Sequence, residues 1–85
     1  MEIVQANTAS LIFSVVPQRA LIYINDRLIG SARDFSTEKE RYTLVEGIHN
    51  LRVEFPGYIP FLSEMQIIPN RTLHLDLELE RAAGR

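Results

Sequence analysis

The sequence predicts an all-β fold, a single antiparallel β-sandwich of about seven strands. Three observations carry this. Leu51, Val53 and Phe55 alternate with Asn50, Arg52 and Glu54 between Gly47 and Pro56-Gly57, the period-two pattern of a half-buried strand closed by turn residues. Leu73, Leu75, Leu77 and Leu79 alternate in the same way with Thr72, His74, Asp76, Glu78 and Glu80. Wound as a helix, those leucines would scatter around the axis instead of forming one stripe. Short apolar runs also recur along the chain with turn signals between them, and no apolar stripe of helical period links them.

Residues 1–10 (MEIVQANTAS) are polar and small apart from Ile3-Val4, and read as an N-terminal arm or an extra edge strand. Leu11–Val16 is the first strand, rich in β-branched and aromatic residues and ended by Pro17. Ala20–Ile24 is nearly all apolar, which predicts burial on both faces. Asn25-Asp26 tolerates positive φ and suits a tight hairpin turn into Leu28–Ala32. Arg33–Arg41 reads as the longest loop, anchored by Phe35, with Ser36–Glu40 able to start a helical turn. Tyr42–Leu44 leads into the Glu46-Gly47 turn and the Gly47–Tyr58 segment. Ile59, Phe61, Met65 and Ile67 share one face of the next strand, and Pro60 argues for an edge or a bend there. Pro69-Asn70-Arg71 is a turn into the closing strand Thr72–Glu80. Residues 11–80 are therefore the domain, and 81–85 a tail. The predicted inward set is Leu11, Phe13, Val15, Leu21, Tyr23, Leu44, Leu51, Val53, Phe55, Phe61, Met65, Ile67, Leu73, Leu75 and Leu77.

Composition narrows the function classes. The chain of 85 residues is one domain without cysteine, so its core holds the fold without disulfides or thiolate metal sites. A net charge of −2 gives no electrostatic reason to expect a nucleic-acid partner. Eight of the nine basic residues are arginine, a bias compatible with interface use. No apolar stretch approaches the ~20 residues of a membrane-spanning helix. Met1-Glu2 opens no secretory signal. The expectation is a cytoplasmic protein as the chain stands, or an envelope or extracellular one if it is a fragment of a longer exported chain.

Three stretches together resemble the PEGA domain family of small β-sandwich modules. Val16-Pro17 and Ala20–Gly30 are similar to the family's P-x-x-A-x-V-Y-V-D-G-x-x-V-G run. Leu44–Val53 resembles its L-x-x-G-x-H-x-V-x-V, and Pro56-Gly57-Tyr58 its x-G-Y. Asn25-Asp26 stands where the family has Asp-Gly, and Ser31–Asp34 where it has a further proline. Transthyretin-like and immunoglobulin-like sandwiches share parts of the pattern. The resemblance implies a non-catalytic module of envelope, surface-layer or signalling proteins that binds proteins or carbohydrates, and it brings no catalytic residues.

The residues agree with that. His49 and His74 are the only histidines, too few for a metal site without a convergent carboxylate cluster. The Asp76, Glu78 and Glu80 stripe lacks a calcium-loop pattern. No nucleophile motif or phosphate loop is present, so neither a cofactor nor an enzyme activity is expected. The sequence reads as a protein-interaction or structural module, a subunit or appended domain of an envelope, filament or particle-coat assembly that associates through sheet edges. Carbohydrate or cell-wall binding is the alternative. The candidate binding residues are Tyr58, beside Pro-Gly at a strand edge, Phe35 and Arg33 in the polar loop, and Ile3 and Val4 in the arm.

Overall fold

A computed structural model describes residues 7–82. Seven strands follow one another: β1 (Thr8–Val16), β2 (Leu21–Ile24), β3 (Arg27–Ser31), β4 (Tyr42–Val45), β5 (Gly47–Glu54), β6 (Phe61–Ile67) and β7 (Thr72–Glu78). They form a three-stranded sheet, β4-β1-β7, and a four-stranded sheet, β3-β2-β5-β6. The two sheets enclose one hydrophobic core, the seven-stranded all-β sandwich that the alternating segments predict.

One pair departs from antiparallel order. β1 and β7 run parallel, from Ser10 beside Thr72 to Val16 beside Glu78. The turn after β6 explains it. Asn70 N–H donates to the Thr8 carbonyl at 2.8 Å and Ser10 N–H to the Arg71 carbonyl at 2.9 Å, so β7 enters beside the start of β1 and runs alongside it. β1 itself begins at Thr8, earlier than the predicted Leu11, because Thr8–Leu11 pair with Tyr42–Val45 of β4. As the central strand it buries Ile12 on its outer side as well as Leu11, Phe13 and Val15 on its inner side.

The hairpin from β2 to β3 turns on Asn25 and Asp26, with φ of 52° and 67°, the left-handed values that a type I′ turn needs. This turn pairs Ile24 with Arg27 and sets the face of β2. Ile22 and Ile24 fill the core, while Leu21 and Tyr23 stand half-buried on the outer face. The predicted inward placement of Leu21 and Tyr23 is thus reversed, and β2 is open on one side. An all-apolar run carries no polar marker of its outer face, and a tyrosine keeps its hydroxyl near water.

After Gly30 a 3-10 turn, Ala32–Phe35, replaces the helical turn predicted at Ser36–Glu40. Asp34 holds it by accepting hydrogen bonds from the Ser31 N–H and the Ser31 hydroxyl, both at 3.0 Å. A Cβ on Gly30 would stand 3.1 Å from both the Asp34 carboxylate and the Phe35 ring, so glycine allows this turn to fold back onto β3.

The closing leucines keep the predicted face, but Leu73, Leu75 and Leu77 are only half-buried because β7 is an edge strand. Leu79, just beyond it, is the buried one at 6% exposure. Phe55 and Phe61 likewise pack at the rim of the core rather than inside it. β6 is an edge strand, as Pro60 predicts.

Candidate functional site

The outer face of the four-stranded sheet is built by register. Tyr23 pairs with Leu28 on one side and with Arg52 on the other, and Arg52 pairs with Leu62. Leu28, Tyr23, Arg52 and Leu62 therefore form one transverse row across all four strands. Leu28 and Leu62, at its two ends, are 51% and 69% exposed. Between them the Arg52 guanidinium lies 4.1 Å over the Tyr23 ring, a cation–π contact that holds the arginine flat against the sheet.

Arg52 is stacked more than it is paired. Its Nε is sheltered from solvent without a hydrogen bond, and stands 3.6 Å from a Glu54 carboxylate oxygen. One terminal nitrogen is 3.9 Å from Asp26 at the hairpin tip. Two hollows flank this pair. One, of 360 Å³, is lined by Asp26, Asn50, Leu51, Arg52, Leu62 and Ser63. The other, of 320 Å³, is lined by Leu21, Glu54, Phe55, Pro56, Gly57, Tyr58 and Pro60.

The sequence-predicted residues do not converge on one site. Tyr58 is half-buried, its ring centroid 5.9 Å from that of Phe55, with the Arg81 guanidinium 5.6 Å over it. A β-bridge also joins Tyr58 to Arg81, and Ile59 N–H donates to the Glu80 carbonyl at 2.7 Å. Phe35 packs edge-on to Phe13 at 6.5 Å and to Tyr42 at 5.4 Å, as a core anchor. Arg33 is exposed on the 3-10 turn and borders a third hollow of 290 Å³ with Phe13, Val16 and Gln18. Ile3 and Val4 lie outside the described residues. The sequence pattern does not group Tyr23 with Arg52, Leu28 and Leu62. The polar alternation of Asn50, Arg52 and Glu54 marks this face on β5, but finding the row also needs the hairpin register.

His49 has a structural role. Its Nδ1 accepts from the Asn25 side-chain amide at 2.8 Å, and its Nε2–H donates to the Val45 carbonyl at 2.9 Å, the neutral tautomer that both partners require. Asn25 Oδ1 accepts in turn from the Asn50 N–H at 2.9 Å. His74 stands exposed on the outer side of β7. Among the described residues no group of three or more His, Asp or Glu side chains is placed to hold a metal ion, and no helix is long and apolar enough to cross a membrane.

The family model for the PEGA domain matches residues 8–83. The chain belongs to the PEGA domain family. No curated protein matches it. PEGA domains are small β modules often found in extracellular or surface proteins, and the match takes in every strand of the sandwich.

Proposed function

We propose that this PEGA domain is a non-catalytic protein-interaction and structural module, working as a subunit or appended domain of a larger assembly such as an envelope layer, filament or coat. The observation that carries the reading is the transverse row on the outer sheet face. It sets two exposed leucines on either side of a flattened arginine, on a surface made of rigid strands. Interface cores favour this combination of apolar, aromatic and arginine side chains. Open sheet edges, and the arm residues Ile3 and Val4 as a strand for a neighbour's sheet, belong to the same proposal.

Carbohydrate binding is the weaker reading. Sugar stacking needs a free aromatic face, and Tyr23 and Tyr58 each carry a guanidinium over the ring. Light scattering across a concentration series tests the favoured reading for self-association. The full chain is expected to gain mass with concentration, and Leu28→Ser with Leu62→Ser to stay at monomer mass. If the chain stays monomeric at every concentration, self-association through this face is excluded.

A further inference from the structure

The two hollows have no lining residue in common and meet along β5, where Arg52 and Glu54 stand two positions apart on the same face. Glu54, two residues after Arg52 on β5, lines the second hollow, and Arg52 lines the first. They form a shallow groove along β5, polar at one end and apolar at the other. Asp26, Asn50 and Ser63 border the polar end. Leu21, Phe55, Tyr58 and Pro60 border the apolar end.

Charge selects what fits there. Asp26, Glu54 and Glu64 project on this face, Glu64 being paired with Asn50 across β5 and β6. Arg52 is the basic side chain among them. It is committed to the Tyr23 ring and stands 3.6 Å or more from the Glu54 and Asp26 oxygens. None of the three carboxylates accepts a side-chain hydrogen bond among the described residues, and Asp26 is 86% exposed. With Arg81 stacked over Tyr58 at the apolar end, three carboxylates stand against two guanidiniums, and the surplus negative charge lies at the end formed by Asp26 and Glu64, so that end disfavours anions and favours a cationic group.

From these observations we infer that the groove takes an extended peptide segment of a partner protein, with an apolar side chain in the Leu21–Phe55–Tyr58 notch and a lysine or arginine at the polar end, against Asp26 and Glu64. This rests on the reading of the outer sheet face as an interaction surface, and names its partner's chemistry. The spacing follows from β5. From Asn50 at the polar end to Glu54 at the apolar end, both on the outer face of β5, is four residues, about 13 Å at a rise of about 3.3 Å each. Side chains of an extended peptide return to the same face at even spacings, so the basic residue stands four positions from the apolar one.

The test is an NMR titration of the isotope-labelled full chain with the peptide acetyl-Ser-Arg-Ser-Ser-Ser-Leu-Ser-Ser-Ser-Arg-Ser-amide, which offers an arginine at that spacing in either direction. Amide shifts are expected at Leu21, Asn50–Phe55, Tyr58 and Leu62, weakening as salt is raised. The same peptide with glutamate for both arginines is expected to cause none. Asp26→Asn with Glu64→Gln should weaken binding about tenfold, the effect of losing about 1.4 kcal/mol of charge-assisted contact. Equal shifts with the glutamate peptide, shifts confined to another face, or no shifts at all would overturn the groove assignment. The wider reading of the face is judged separately by Leu28→Ser, which lies on the transverse row and lines neither hollow.

Discussion

The Arg52 guanidinium rests 4.1 Å over the Tyr23 ring, on the outer face of the four-stranded sheet. A cation–π contact of this kind contributes ~0.5–1 kcal/mol at an exposed site and more when desolvated. Arg52→Gln should therefore lower stability by about 1 kcal/mol, read as a lower urea midpoint at unchanged slope. A midpoint equal to that of the parent chain would show the stack to be energetically idle.

The face of β2 can be tested by paired truncations. Ile22 is fully buried while Leu21 stands on the half-open side. Ile22→Ala should cost about 2–5 kcal/mol, enough to unfold much of so small a domain. Leu21→Ala should cost well under half of that. The reverse order in thermal melts would restore the inward placement that the apolar run of Ala20–Ile24 predicts.

That reversal shows where legibility ends. β5 declares its own faces because Asn50, Arg52 and Glu54 are polar, and Leu51 and Val53 indeed fill the core. β2 declares nothing, and its face is set by the hairpin turn and by pairing with residues thirty positions away. The alternation of Leu73, Leu75 and Leu77 reveals a face but not that β7 lies at an edge, nor that it runs parallel to β1. The transverse row joins positions 23, 28, 52 and 62, a juxtaposition that only the assembled sheet creates. Tyr58 and Phe35 are legible as aromatic residues at special places, but the sequence pattern does not place their ring partners beside them, Phe55 for Tyr58 and Phe13 and Tyr42 for Phe35.

Asn25 combines a left-handed φ of 52° with side-chain bonds to His49 and to the Asn50 N–H. Alanine loses two hydrogen bonds and strains the backbone, which together amount to about 2–4 kcal/mol. Asp26→Gly, at φ 67°, should instead stabilise the hairpin by ~0.5–1 kcal/mol, since glycine occupies the second position of a type I′ turn without a Cβ penalty. Denaturant curves for the two variants should move in opposite directions, and a shared direction would refute the turn assignment.

Gly30 should tolerate no side chain. Its φ is +147°, and an added Cβ stands 3.1 Å from Asp34 and Phe35. Gly30→Ala is expected to destabilise by about 1–3 kcal/mol, and to broaden or shift the Phe35 ring resonances as the 3-10 turn is pushed from β3. Unchanged Phe35 resonances would mean that the turn is not seated there.

Asp34 supplies a pH signature. The Ser31 N–H and then the Ser31 hydroxyl hold its carboxyl below the usual value of 3.8. Because the folded value is the lower one, the carboxylate contributes stability that is fully present above the ordinary aspartate range and is lost as pH falls through the folded value. The stability difference between the parent chain and Asp34→Asn should be constant near neutrality and shrink only in acid. An Asp34 carboxyl titrating at or above 3.8 by NMR would contradict the capping geometry.

On the proposed function, the outer face of the four-stranded sheet meets a protein partner. Its most direct test is photo-crosslinking in the producing cell, with p-benzoylphenylalanine introduced at Leu62 and, in a second variant, at Asp76 on the exposed face of the three-stranded sheet. A discrete protein adduct from position 62, weak or missing from position 76, is the expected result. Equal adducts from both positions, or none from position 62, would contradict the account.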